Sequence, residues 1–166
     1  EAAHERTRMD GWDGPVVFAG GDGTCFAING DALPLAEGCP APMAPFAPRG
    51  EAMTLENLIP NPNEDVLVVV SERGLVYPLD GRVVPHVSAP TRTPADMTGM
   101  ASDEAVKVFF ARRDLVTGDR FIHVTAGGRI KASRARDLGR VQDRDGTVAF
   151  LLAEGDAVVS AFAQSS

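Results

Sequence analysis

The sequence predicts an all-β fold built from three copies of a strand–turn–strand unit. Three observations predict it: one hairpin pattern recurs three times, short apolar runs alternate with turns throughout, and evidence for helices is thin. With 17 glycines and 12 prolines among 166 residues, the composition favours many short elements over a few long helices. At 44% apolar residues, the chain can nevertheless bury a substantial core.

Each unit consists of four strand-forming residues, a short polar turn that ends in glycine, and a second apolar run. The glycine supplies the positive φ that a tight hairpin turn requires. The turn glycines, Gly23, Gly74 and Gly128, are 51 and 54 residues apart, and a period near 50 is typical of blades or arrays. The predicted hairpins cover residues 16–28, 67–79 and 121–133.

The segments between the hairpins predict further short elements. Residues 53–59 fit either a short helix or a strand, and Pro60 ends both. Residues 39–48, with four prolines, predict an extended loop, because proline cannot donate to a strand ladder. A second loop is expected over 88–102, and Trp12 is expected to cap the first unit. Additional strands are predicted at 83–85, 105–111, 146–152 and 157–162.

Basic residues concentrate in the third unit, although the whole chain carries a net charge of −7. Residues 1–90 hold 5 Lys/Arg against 13 Asp/Glu, a net of −8, whereas residues 91–166 hold 11 against 10, a net of +1. Within residues 105–144, ten basic residues stand against four acidic ones. This asymmetry indicates a polyanionic partner for the third unit in spite of the total charge.

Several classes of protein are disfavoured. Residues 1–13 are polar and mixed in charge, unlike a signal peptide, and the apolar run 66–70 is too short to cross a bilayer, so we expect a soluble, cytoplasmic protein. Cys25 and Cys39 do not form a CxxC pair and the three histidines are scattered, so no metal site and no cofactor are predicted. Both cysteines are expected to be buried or to lie in loops.

Three stretches carry a family resemblance. The first runs from Pro15–Phe18 through a glycine turn to Phe26–Ile28 and on to Leu33–Pro34. The second runs from Ala52–Thr54 through Asp65–Gly74 and contains the pattern of a strand, Ser or Thr, two residues and Gly. The third runs from Ile122–Val124 through Arg129–Lys131 to Asp145–Thr147. Over roughly residues 14–162 the chain thereby resembles the C-terminal domain of bacterial type IIA topoisomerase A subunits, those of topoisomerase IV and DNA gyrase.

The resemblance implies a β-pinwheel, a propeller-like array of four-stranded blades that exchange strands between neighbours. It implies about three blades in an open crescent, at 14–50, 51–102 and 103–166, after an N-terminal extension over 1–13. The outer rim of such a domain binds the DNA segment that the enzyme transports. The implied partners are double-stranded DNA, the remainder of the A subunit and its ATPase subunit, in a cytoplasmic, nucleoid-associated setting.

The chain departs from this family in two respects. It lacks an Arg/Gly-rich box of the kind with which gyrase A wraps DNA, so chiral wrapping is not expected. Its first two units are acidic where family members carry a basic rim, so DNA contact is expected mainly on the third. The implied enzyme is an ATP-dependent type II topoisomerase, but this chain itself contains no predicted catalytic residue.

The DNA-binding candidates are cations of the third unit. Strand alternation places Arg129 and Lys131 on one face and Ile130 on the other, and Arg134 and Arg136 are expected to extend the basic strip into the following loop. Guanidinium groups suit phosphate because they offer a planar fork of donors. The alternative is a solvated strand face with incidental charges. The full candidate set is Arg112, Arg113, Arg120, Arg129, Lys131, Arg134, Arg136, Arg140 and Arg144.

Two further hypotheses stay open. Residues 20–24, Gly-Gly-Asp-Gly-Thr, match the nucleotide-binding turn of NAD and diacylglycerol kinases, although they lead into an alternating run and not into a helix. The acidic first half would suit a degenerate pinwheel that acts as a protein-interaction module. Tyr77, the only tyrosine, lies inside a predicted strand before Pro78, which disfavours a role as a DNA-cleaving nucleophile.

Overall fold

The computed structural model describes residues 14–20, 23–29, 55–60, 65–90, 92–117 and 119–164. The expectations for residues 1–13, Trp12, Cys39 and the loop at 39–48 lie outside these residues. Strands dominate the described part of the chain and form open sheets, which confirms the predicted all-β class.

The described strands form three antiparallel sheets. Sheet A has the order β2-β1-β3, with β1 Pro15–Gly20, β2 Cys25–Asn29 and β3 Leu55–Pro60. Sheet B has the order β6-β4-β5-β9, with β4 Leu67–Ser71, β5 Leu75–Leu79, β6 Val106–Ala111 and β9 Thr147–Val148. Sheet C has the order β10-β7-β8, with β7 Arg120–Thr125, β8 Ile130–Arg134 and β10 Val158–Gln164. Short helical segments join them: a 3-10 turn at Gly81–Val83, α1 at Pro94–Met97, α2 at Arg112–Thr117 and α3 at Ala135–Gly139.

All three sheets follow one plan. The first strand of each hairpin is central, its partner lies on one side, and a third strand from later in the chain lies on the other. Strand β3, which the sequence division placed in the second blade, pairs in sheet A, and β6 from the third pairs in sheet B. Neighbouring units are therefore linked by exchanged strands.

A hydroxyl group explains the recurring Ser/Thr before the turn. In the second hairpin, Ser71 Oγ accepts the backbone N–H of Leu75 at 3.3 Å. In the third, Thr125 Oγ1 accepts the N–H of Arg129 at 3.2 Å, which is the equivalent bond. The hydroxyl satisfies a donor that the turn would otherwise leave unpaired, so the repeat motif is a turn-stabilising device.

The core lies between stacked sheets. On β4, Leu67 and Val69 pack in one cluster with sheet A, while Val68 and Val70 pack in another with sheet C. All four side chains are fully buried, which explains why this strand is continuously apolar and not alternating. Each such side chain contributes about 1.5–3 kcal/mol of burial free energy.

Four local predictions are refined or corrected. The described part of the segment at 53–59 belongs to strand β3, Leu55–Pro60. No strand forms at 83–85: Val83 ends the 3-10 turn, Val84 caps it, and Pro85 O accepts the N–H of Ala27 at 2.8 Å. The predicted loop at 88–102 contains α1, because Thr93 at the N-cap and Asp96 at the third helical position form a capping box, with Pro94 as the first helical residue. The expectation of a buried strand over 146–152 is wrong: only Thr147–Val148 pair, both are exposed, and the burial falls on Ala149 and Phe150, which pack outside the ladder.

Candidate nucleic-acid interface

The strand register divides the predicted basic strip between two faces of sheet C. Lys131 lies opposite His123, on the face that packs towards sheet B. Arg134 lies opposite Arg120, on the other face. A single strip from Arg129 to Arg136 is therefore not formed, because Arg134 still belongs to strand β8 and alternation continues through it.

Lys131 is engaged within the third unit. Its Nζ donates to the carbonyl oxygen of Ala149 at 2.9 Å and lies 5.7 Å from the ring centroid of Phe150. A cation in this position stabilises the contact between β8 and the segment before β10. Arg129, near the hairpin turn, contributes to lowering the pKa of Asp156, after the hydrogen bonds from Thr125 and Gly127.

Arg112 and Arg113 bind backbone carbonyls. One terminal nitrogen of Arg112 donates to Val141 O at 2.7 Å, which ties the start of α2 to the chain after α3. Arg113 donates to Pro60 O at the end of β3, and its Nε lies 3.8 Å from Asp114. Both side chains are half-buried. Their hydrogen bonds hold units together, which leaves them less available to an external anion.

Four arginines remain together at one end of sheet C, and we call them the arginine cluster: Arg120, Arg134, Arg136 and Arg140. Arg120 and Arg134 are direct cross-strand neighbours, and Arg136 and Arg140 are one helical turn apart at α3. All four are exposed, and no hydrogen bond or ion pair joins any of their guanidinium groups to another described residue. Like charges directly opposite each other repel, so this arrangement favours an anion between them.

Arg144 lies apart from the cluster. Its backbone carbonyl is close to Gly99, where an added Cβ would come within 1.9 Å of the oxygen. Its charge is among the influences that lower the pKa of Asp80 to about 2, behind the hydrogen bonds from Arg82. Arg144 therefore faces the second unit.

The third unit contains a buried histidine. His123 is fully buried between Phe121 and Phe150, with ring centroids 4.6 and 5.6 Å away. Neither ring nitrogen has a hydrogen-bond partner among the described residues. Burial, and secondarily the charge of Lys131, lowers its pKa to about 4. The imidazole is neutral at physiological pH and sealed from substrate.

The tyrosine and the described cysteine are also unsuited to nucleophilic chemistry. The Tyr77 hydroxyl donates to Glu104 Oε2 at 2.8 Å inside the core, and burial raises the pKa of Tyr77 well above its usual value. Burial likewise raises the pKa of Cys25 to about 12, so its thiol stays protonated.

The described residues of the glycine-rich segment, Gly20, Gly23 and Thr24, belong to a hairpin. Gly20 N–H donates to Thr24 O at 2.9 Å, and Gly23, with φ of 83°, donates to Gly20 O at 3.0 Å. The chain then enters strand β2 and no helix N-terminus follows for a phosphate. Among the described residues, no group of His, Cys, Asp and Glu could hold a metal ion. No helix in the same part of the chain is long and apolar enough to span a membrane.

The nine cations predicted from the sequence to bind DNA are separated in the structure by their partners. Carbonyl oxygens of Pro60, Val141 and Ala149 engage three of them, and a carbonyl leaves no signature in a sequence. The cross-strand pair of Arg120 and Arg134 did have a signal. Alternation along the two strands places Arg120 and Arg134 on the same face of the hairpin as Ile122 and Ile130.

Solved structures of known proteins share this fold. The C-terminal domain of DNA topoisomerase IV superposes with a TM-score of 0.68 at 16% identity, over 90% of this chain and 45% of that one. The E. coli ParC C-terminal domain superposes with a TM-score of 0.59 at 17% identity, over 93% of this chain and 63% of that one. The DNA gyrase A C-terminal domain superposes with a TM-score of 0.58 at 16% identity, over 89% of this chain and 46% of that one.

These likenesses show the β-pinwheel fold that the sequence resemblance implied. The chain covers 45%, 63% and 46% of the lengths of these three domains, which is less than two thirds of each. No protein-family model matches the sequence, and the search of curated proteins found no match.

Proposed function

We propose that the chain is a non-catalytic DNA-binding domain of a type II DNA topoisomerase, which contacts a DNA segment and guides topology-dependent strand passage. The observation that carries the proposal is the arginine cluster, four exposed cations without described partners on a fold shared with topoisomerase C-terminal domains. The shared fold supports this class of parent protein, and the cluster supports binding to phosphate.

Two pairs of guanidinium groups suit a phosphate backbone. The backbones of β7 and β8 hold the Cα atoms of Arg120 and Arg134 about 5 Å apart, and Arg136 and Arg140 are about 6 Å apart on one helix face. Each guanidinium can bind a phosphate bidentately. Such contacts fix the position of a duplex without reading its bases, as a domain that handles any transported segment requires.

The remaining candidates have supporting roles in this proposal. Arg129 and Lys131 lie on the opposite face near the turn, Arg112 and Arg113 position the helices, and Arg144 faces the second unit. Partners are double-stranded DNA, the rest of an A subunit and an ATPase subunit, in the cytoplasm at the nucleoid. These partners and this location are part of the proposal.

The test is a pair of charge-reversed variants with equal net charge. Arg134→Glu with Arg136→Glu changes the cluster, and Arg82→Glu with Arg92→Glu makes the same change in the second unit. Binding of a linear duplex is measured by fluorescence anisotropy from 50 to 200 mM salt. We expect the cluster variant to lose at least about tenfold in affinity, and its log–log salt slope to become shallower by about 2, because two phosphate contacts are removed.

The second-unit variant should lose much less. An equal loss in both variants would mean that only net charge matters, and unchanged binding in the cluster variant would refute the assignment. Thermal unfolding of both variants checks that they fold.

A protein-interaction module remains a second candidate, because residues 1–90 carry a net charge of −8. It predicts no measurable affinity for the duplex even at 50 mM salt, with the unmodified protein.

A further inference from the structure

Sheet C has one face turned away from sheet B, and we call it the outer face. On the inner side, Phe121, Ala161 and Ala163 pack in the cluster that sheet C shares with β4. Because side chains alternate along a strand, the residues between them on β7 and β10 point to the opposite side. No sheet among the described residues covers that side. The outer face is therefore accessible to a ligand.

One row of the outer face is polar and cationic. Gln164, Arg120 and Arg134 are register partners across β10, β7 and β8, and all three are exposed. Arg136 follows closely, at the start of α3. The row spans about 10 Å, because neighbouring strands lie about 4.8 Å apart. Its donors suit a short length of phosphate backbone that runs across the strands.

The rows beside it are apolar. Phe162, Ile122 and Ala132 are register partners in the second row, and Val124 and Ile130 pair in the third. Phe162 is 49% exposed and Ile130 is 71% exposed. Successive rows lie about 7 Å apart, because their residues are two positions apart on each strand. The face thus presents an aromatic ring and aliphatic groups beside a row of guanidinium groups.

This combination fits a ligand that is anionic along one side and flat and apolar along the other. A DNA strand with unpaired bases has this form, because its phosphates and the faces of its bases are both accessible. In a duplex the base faces are stacked on one another, so a duplex offers its phosphates to the arginines and nothing to the apolar rows. An aromatic side chain next to cations is the usual platform for an unpaired base.

We propose that the outer face of sheet C binds a DNA segment whose bases are unpaired, with its backbone along Arg120 and Arg134 and one base stacked on Phe162. The inference rests on the proposed DNA-binding function and adds a preferred form of DNA to it. The arginines contact phosphates in both forms of DNA. The ring of Phe162 contributes to binding only where a base is free to stack.

An acidic amphipathic protein segment is the other ligand that combines negative charge with apolar groups. Such a segment needs an apolar side chain at position 162 and has no need of a ring, because aliphatic groups gain burial free energy against leucine as well as against phenylalanine. Removal of the ring with retention of apolar character therefore separates the two ligands.

The experiment compares the unmodified protein with Phe162→Leu and Phe162→Trp. Binding of an unstructured thymidine oligonucleotide and of a duplex of equal length is measured by fluorescence anisotropy at low salt. We expect Phe162→Leu to lose at least about fivefold in affinity for the single strand and less than about twofold for the duplex, because only the single strand stacks on the ring. Phe162→Trp, with a larger ring, should keep or raise the affinity for the single strand.

The matched control is Val148→Ala, which changes an exposed apolar residue of β9 in sheet B, 56% exposed. It should bind both forms of DNA as the unmodified protein does. The quantity compared is the ratio of single-strand to duplex affinity, because a partly unfolded variant would lose both affinities together.

The outcomes separate this inference from the proposed function. An unchanged ratio in Phe162→Leu overturns the inference and leaves duplex binding standing. A single strand that binds through the ring, with no binding of the duplex, supports the inference and counts against the proposed function. Absence of binding to either form of DNA overturns both.

Discussion

The second and third hairpins share one pattern and one pairing plan, yet their surroundings differ. Strand β5, the second strand of the second hairpin, is largely buried, and two arginines of that unit are paired, Arg73 with Asp103 at 2.7 Å and Arg82 with Asp80 at 2.6 Å. Strand β8 of the third is largely exposed, and Arg134 has no partner among the described residues. A repeat therefore serves as a scaffold where neighbouring units cover it and offers a binding surface where they do not.

The largest effect should come from the turn glycines. Gly74→Ala introduces a Cβ at positive φ and within 2.3 Å of Phe150 O, so we expect a loss of more than 3 kcal/mol in the free energy of unfolding. Gly128→Ala has the same φ of 76° but open space, so it should lose only about 1 kcal/mol. Urea unfolding of both variants measures the difference. Equal losses would show that the third turn is as crowded as the second.

The next effect is a pH dependence confined to the third unit. His123 occupies the position that Val69 holds in the second hairpin, and its pKa is lowered to about 4. Because the unfolded chain binds the proton more tightly, the free energy of unfolding should fall by about 2 kcal/mol as the pH drops from 6.5 to 4. Depressed carboxylate pKa values, such as that of Asp80 at about 2, act at lower pH.

The variant His123→Val copies the second hairpin and removes this titration. Chemical unfolding of both proteins at a series of pH values gives the two profiles. If the free energy of unfolding of the variant falls just as steeply between pH 6.5 and 4, a group other than His123 is responsible.

A smaller effect is expected at the buried pair of the second unit. Tyr77→Phe leaves Glu104 without its hydroxyl donor in a buried site where Oε1 already lacks a described partner. We expect a loss of about 1–3 kcal/mol in unfolding free energy at pH 7. Urea unfolding of the two proteins measures this loss. A loss below about 0.5 kcal/mol would contradict this account.

The smallest effect concerns the exposed ion pair of the second unit. Asp103→Asn should change the free energy of unfolding by less than about 0.5 kcal/mol, because both side chains of the Arg73 pair are solvent-exposed. It should also leave duplex affinity almost unchanged if DNA binding depends on the arginine cluster. A marked rise in affinity when Arg73 is released would extend the binding surface into the second unit.

The sequence by itself determined the hairpins, their period and the all-β class. These follow from local rules: alternation or apolar runs over 67–71 and 121–125, a hydroxyl at Ser71 and Thr125, and a glycine at the turn. It also placed the cations in the third unit. It missed α1, α2 and α3, because helices of four to six residues carry no periodic signal.

Only the tertiary structure decided which cations are available. Arg112 and Arg113 are engaged by carbonyls that come from residues 29 and 53 positions away, and such long-range partners leave no local pattern. The tertiary structure also divided the predicted basic strip, because Lys131 lies on the face of sheet C that packs towards sheet B and Arg134 lies beside Arg120 on the other face. The residue types determine the strand–turn–strand unit, and the packing of one unit on the next determines which surface stays exposed to a partner.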